Sequence, residues 1–131
     1  MATSKEVGNK MSKHITVVTT FHPAGLVKYG QRFLDSFAAR VDKRIKLIVY
    51  AEDCNPINPD PSRIEIIDAH VALPKLNAFK DKWGNVPKAN GDISKDPVRS
   101  KRKDWNKEFK WDAIRFANKT YAVYDAVRRS K

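Results

Sequence analysis

Three short runs rich in β-branched and aliphatic residues constrain this chain most: HITVVTTF (14–21), RIKLIVYAED (44–53) and RIEIIDAH (63–70). Each has the length and composition of a strand. The first is a continuous apolar stretch, which suits a strand covered on both faces as in a parallel sheet. It is closed by His22-Pro23-Ala24-Gly25, a turn signal. Between the first two runs lies LVKYGQRFLDSFAARV (26–41), where Leu26, Tyr29, Phe33, Phe37 and Val41 recur at spacings of three or four. That spacing predicts a helix with one buried face. Gly30 within it costs about 1 kcal/mol against Ala, so either packing is close there or the early turns are irregular. Between the second and third runs, CNPINPDPS (54–62) holds three prolines and predicts a stiff, non-helical connection. Strand, helix, strand, loop, strand is the start of an α/β fold with a largely parallel sheet. The expected fold is a small Rossmann-like three-layer half-domain, with a short, mainly parallel sheet and flanking helices.

Residues 1–13 read as a flexible tail and 14–131 as a single α/β domain. VALPKLNAFKDKW (71–83) includes a short helix, and the stretch at about 84–106 reads as a basic, irregular insertion of the kind that is functional or mobile. The last helix is expected over 106–129. Phe109, Ala113, Phe116, Ala117, Thr120, Val123, Tyr124 and Val127 would share its buried side, with Asp112, Arg115 and Lys119 on an adjoining edge.

At 131 residues the chain is one domain's worth, long enough for a core. No apolar run approaches the roughly 20 residues of a membrane span, and the polar start, MATSKEVGNKMSKH, lacks the centre of a signal peptide. Cys54 is the single cysteine, so no internal disulfide can form, which fits a reducing, cytoplasmic location. The net charge of +11 is uneven. Residues 1–70 carry 10 Lys/Arg against 8 Asp/Glu, whereas residues 71–131 carry 16 against 7. A positive field of that kind attracts nucleic acid, nucleotides, anionic lipid or an acidic protein.

In open α/β sheets, ligands bind beyond the carboxyl ends of the strands. Those ends are Thr19-Thr20-Phe21, Ala51-Glu52-Asp53 and Asp68-Ala69-His70. The first could offer hydroxyls, amides and an aromatic face to a base, the second carboxylates to ribose hydroxyls. Equally, the threonines could be plain strand residues and the acids plain turn residues. Arg115 and Lys119 sit one turn apart, where like charges oppose each other by about 0.2–0.5 kcal/mol. They are either a clamp for a diphosphate, an Arg fork beside a Lys point charge, or a solvated edge with Asp112 partly compensating. A second cluster interleaves Lys95, Arg99, Lys101, Arg102, Lys103, Lys107 and Lys110 with Trp105, Phe109 and Trp111. Cations with aromatics are the ingredients of single-strand or loop RNA binding. His14, His22, His70 and Cys54 show no metal-ligand spacing, and P-loop, G-x-G-x-x-G and G-x-S-x-G motifs are absent from the sequence.

VTTFHPAGLVKYGQRFLDSF, then IKLIVYAEDC, then FKWDAIRFANKTYAVYDA resemble the N-terminal, nucleotide-binding half of GT-A-type glycosyltransferases, over about residues 14–53 and 108–127. The resemblance implies that Thr19, Thr20 and Phe21 line a nucleoside pocket, that Glu52 and Asp53 lie near base or ribose, and that Arg115 and Lys119 face the diphosphate of a UDP-type nucleotide. That family places an Asp-x-Asp strand after a helix like the last one, and its carboxylates hold a divalent metal on the diphosphate. This sequence ends at Lys131 with no Asp-x-Asp. Without that metal, leaving-group stabilisation is lost, so a truncated, glycosyltransferase-like domain without transfer activity of its own is the expectation. The alternative is a basic binding or inhibitory protein that docks nucleic acid or an acidic protein. Either way, a homodimer or partner is expected over the sheet edge where the next strand would pair.

Overall fold

The computed structural model describes residues 15–95, 98–101 and 112–130. These divide into two compact units, one of the described residues up to 72 with those from 122 onward, the other of those between 73 and 121.

The first unit contains the expected sheet. Strands β1 (Thr16–Phe21), β2 (Lys46–Ala51) and β3 (Ile64–Asp68) lie in that order, all parallel, with β2 central. In β1–β2 the register runs from Thr16 opposite Lys46 to Phe21 opposite Ala51. In β2–β3 it runs from Leu47 opposite Ile64 to Ala51 opposite Asp68. The architecture is therefore mixed α/β with an open three-stranded parallel sheet. Of β2, everything from Leu47 to Ala51 is buried, as a central strand covered on both faces requires.

The crossover from β1 to β2 is helical but not uniform. An α-turn, Pro23–Gly25, runs into a π-helical segment, Leu26–Gly30, and then into α1 (Gln31–Arg40). The sequence pointed to this irregularity through Gly30. A Cβ at Gly30 would stand 3.1 Å from the Phe21 ring, and one at Gly25 only 2.8 Å from the Tyr29 hydroxyl. Close packing and an irregular turn thus occur together, in line with the use of π-bulges where a helix must accommodate a local demand. Leu34 and Phe37 of α1 pack with Phe21, Leu47, Val49 and Ile64 as the core on one sheet face. The proline-rich link is held from outside by Gln31. Its side chain donates to the Ile57 carbonyl at 2.8 Å and accepts from the Ile57 N–H at 2.9 Å.

The final helix, here α5 (Ala113–Arg129), contributes its last turns to the first unit, on the opposite sheet face. Strand side chains alternate, so Ile48 and Tyr50 face away from the α1 core. The buried Tyr50 hydroxyl donates to Asp125 at 2.6 Å, and Asp125 also accepts from Arg129 Nε at 2.6 Å. Burial and the neighbouring Asp125 both push the Tyr50 phenol well above its ordinary pKa. For Asp125, burial alone would raise the pKa, but the Tyr50 and Arg129 donors outweigh it and hold the carboxyl below its usual value.

Arg63, just before β3, is a charged residue that is buried, at 7% exposure. Its Nε donates to Asp60 at 3.0 Å, Nη1 to the carbonyls of Asp42 and Ile45, and Nη2 to those of Phe37 and Ala38. All five guanidinium N–H bonds are used. Four of them go to carbonyls at the end of α1 and in the turn after it, where the Phe37 and Asp42 carbonyls also accept the N–H groups of Val41 and Ile45. The plane also lies over the Phe37 ring, 4.6 Å from its centroid.

After β3, Asp68 accepts from the N–H of His70 at 2.9 Å and starts a short helix, α2 (Ala69–Ala72). The third run therefore ends as a strand at Asp68, two residues before its sequence boundary, because the aspartate caps α2.

In the second unit, α3 (Pro74–Trp83) is the short helix expected over 71–83. The basic insertion is less irregular than its sequence reads. It holds α4 (Pro87–Asn90) and 3-10 turns at Ile93–Lys95 and Arg99–Lys101. Proline opens both helices at their first position, where no N–H is needed, and Gly91 ends α4 with φ 77°.

The structure corrects the reading of α5. Its described span begins at Ala113, and residues 106–111 lie outside the described residues. The buried positions are Ala117, Ala122 and Ala126, while Phe116, Val123, Tyr124 and Val127 are exposed. Small side chains mark the packed face because they let the helix approach closely, and the bulkier apolar set is turned outward.

Candidate functional site

A parallel sheet brings all its carboxyl ends to one rim. In the first unit that rim carries Phe21 at the end of β1 and His22 after it, Glu52 and Asp53 after β2, and Asp68 at the end of β3. The local geometry is tight. The Phe21 carbonyl accepts from the Glu52 N–H at 2.8 Å and from Cys54 Sγ at 3.4 Å. Asp53 takes a left-handed conformation, φ 53°, which only a few residue types adopt readily, aspartate among them. Glu52 is half-buried and Asp53 exposed. Burial pushes the Cys54 thiol up, away from thiolate chemistry.

The other strand-end residues fall out differently. Phe21 is 2% exposed, its ring engaged edge-on by Tyr29 and Phe33, so the aromatic face lies in the core. Thr19 and Thr20 are half-buried neighbours within β1, opposite Val49 and Tyr50. Consecutive strand residues face opposite sides, so their side chains serve different sheet faces. The rim polar set is Glu52, Asp53 and Asp68, together with His22, and Asp68 already accepts the His70 N–H as the cap of α2. The sequence signal for His22 was its place directly after the first strand, where the turn reading absorbed it.

Arg115 and Lys119 belong to the second unit, both exposed on α5. Asp112 does not pair with the Arg115 guanidinium. Its carboxylate accepts the Arg115 backbone N–H at 2.9 Å, the bond of a helix N-cap. Of the basic cluster, Lys95 is exposed and loosely paired with Asp92 at 3.7 Å, Lys101 is exposed, and Arg99 opens a 3-10 turn. Arg102, Lys103, Lys107 and Lys110 lie outside the described residues.

Among the described residues no group of three or more His, Cys, Asp or Glu is placed to hold a metal ion. No helix among them is long and apolar enough to cross a membrane. A cavity of about 540 Å³ opens in the first unit, lined by residues at the amino ends of the strands, such as Thr16, Lys46 and Ile64, rather than by the rim acids. Comparison with protein-family models, curated proteins and solved structures returned no match.

Proposed function

We propose that this chain is a nucleoside-diphosphate-binding domain of the glycosyltransferase-like kind, without transfer chemistry of its own. The observation that carries the reading is the convergence of three parallel strand ends on a rim bearing Glu52 and Asp53. Carboxylates there suit the hydroxyls of a ribose, and they are wrong for a bare phosphate. With no Asp-x-Asp pair in the sequence, the leaving group would have no metal to stabilise it. Calorimetric titration with UDP and other nucleoside diphosphates, with and without Mn²⁺, tests this. Binding near a millimolar Kd, about −4 kcal/mol, is expected, weakened by Asp53→Ala. No heat at millimolar nucleotide overturns it.

A second reading, a basic protein docking an acidic protein or nucleic acid, is favoured by one observation. On α5, Val123, Tyr124 and Val127 are 49%, 67% and 57% exposed, with Lys119 and Arg128 also exposed on the same helix. An interface of this composition would weaken with salt. Alanine at Arg99, Lys101, Arg102 and Lys103 separates the readings, because it should leave nucleotide affinity unchanged while weakening capture of RNA or an acidic peptide.

A further inference from the structure

The cavity at the amino ends of the strands has a polar composition that neither reading uses. Its floor is the sheet face opposite the α1 core, where Thr16 pairs with Lys46 and Ile48 pairs with Glu65. The end of α5 supplies Arg129 and Ser130, and the turn before β3 supplies Ser62 and Arg63. Its volume, about 540 Å³, lies within the range of small-molecule sites.

The hydrogen-bond inventory of the lining defines what could enter. Arg63 adds charge but no donors, since its five N–H bonds are spent on Asp60 and backbone carbonyls. The Ser62 hydroxyl donates to Asp60 and the Ser130 hydroxyl to the Ala126 carbonyl at 2.8 Å, so both present lone pairs to the cavity. Glu65 also accepts, meeting Arg129 Nη1 at a loose 3.9 Å. Against these acceptors stand two cations. Arg129 has Nε committed to Asp125, which leaves its Nη groups toward Glu65. Lys46 is exposed and has no acid partner among the described residues. Ile48 gives the floor an apolar spot.

Acceptors call for ligand hydroxyls, the apolar spot for a C–H face, and Lys46 with Arg129 for one anionic group. We propose that this cavity binds a small anionic polyol, of the class of sugar phosphates and sugar acids. The site is separate from the rim and does not rest on nucleotide binding there.

The test is titration of the full chain with glucose 6-phosphate, glucuronate, glucose and inorganic phosphate, followed by calorimetry and by amide chemical shifts. At least one charged sugar should bind about tenfold or more tighter than both glucose and phosphate, with shifts at Thr16, Ser62 and Glu65. Glucose 6-phosphate against glucuronate tells a phosphate from a carboxylate. Lys46→Met, an exposed change that keeps the apolar stem, should cut that affinity about tenfold and leave UDP titrations unaltered, so loss of one site is distinguishable from loss of the other. Equal affinity for glucose and the charged sugars, no binding at millimolar ligand, shifts confined to other residues, or unchanged affinity in Lys46→Met would each overturn the proposal.

Discussion

Replacing Arg63 by alanine should be among the most damaging single substitutions in the first unit. The side chain holds five partners at once: the Asp60 carboxylate and the carbonyls of Phe37, Ala38, Asp42 and Ile45. A hydrogen bond to a charged group contributes about 1.5–3 kcal/mol, but five such values do not add, because water fills part of the space vacated. Removing one partner from a buried ionic cluster costs about 3–5 kcal/mol, and that is the loss expected for Arg63→Ala. Against a typical total of about 5–15 kcal/mol it removes a large fraction of stability. Arg63→Lys keeps the charge, yet supplies three donors from one point instead of a planar fork. It should fall between wild type and alanine, near 2 kcal/mol of loss. Asp60→Asn keeps an acceptor for Nε but takes the counter-charge from a buried guanidinium; it should still cost less than Arg63→Ala, since four of the five bonds go to backbone carbonyls rather than to Asp60. Urea unfolding followed by circular dichroism measures all three. A loss under about 1 kcal/mol for Arg63→Ala, the range of surface substitutions, would refute the reasoning, as would Asp60→Asn matching it.

Other contacts carry their own expectations. Gly30→Ala gains helix propensity of about 1 kcal/mol but drives a methyl against Phe21, which Tyr29 and Phe33 hold in place. With overpacking costing about 1–3 kcal/mol, a net loss near 1 kcal/mol in thermal or urea unfolding is expected. Asp112→Ala removes the α5 cap and should cost about 1 kcal/mol, restored by Asp112→Ser. The Asp125 carboxyl, held below its usual pKa, contributes stability above the ordinary carboxylate range and loses it as pH falls through the lowered value. Tyr50→Phe removes one of its donors, so acid unfolding should begin at higher pH. The Tyr50 phenol, raised in the fold, opposes unfolding below pH about 10 and loses that contribution above it. Phenolate absorbance should therefore show one tyrosine ionising only with unfolding, and Tyr50→Phe should abolish that step.

How far the fold was legible in the sequence depended on whether the signal was a period or a packing distance. The three strands and the crossover helix came from β-branched runs and from three-four spacing, but that spacing put Tyr29 and Phe33 on the buried side, where they are 51% and 39% exposed, and passed over the fully buried Leu34. The cap at Asp68 was hidden because Asp-Ala-His extends an apolar run as plausibly as it starts a helix. Arg63 was hidden too, since nothing local marks which arginine will meet the end of a helix some 25 residues earlier in the chain. The α5 error is the more instructive. The expected buried side held Phe116, Val123, Tyr124 and Val127 together with Ala117, yet Ala117 is buried while those four are exposed, and Ala122 and Ala126 are buried instead.

The same distinction governs the site. That ligand chemistry gathers at carboxyl strand ends is a rule of topology, so Glu52 and Asp53 could be located as soon as β2 was. Which neighbours join them is a matter of side-chain direction. Phe21 was eligible as a stacking surface until α1 and the π-helical turn took its ring into the core. Thr19 and Thr20, adjacent in sequence, were eligible as a pair until the pleat sent them to different faces. The cavity beside Lys46 escaped sequence reading for the reverse reason. Its lining comes from three strand starts, a turn and a helix end, five places that share no motif and meet only once β3 pairs with β2 and α5 closes over Tyr50. A site assembled that way has no sequence signature, so its chemistry can be inferred only from which hydrogen-bonding groups the fold has left unspent.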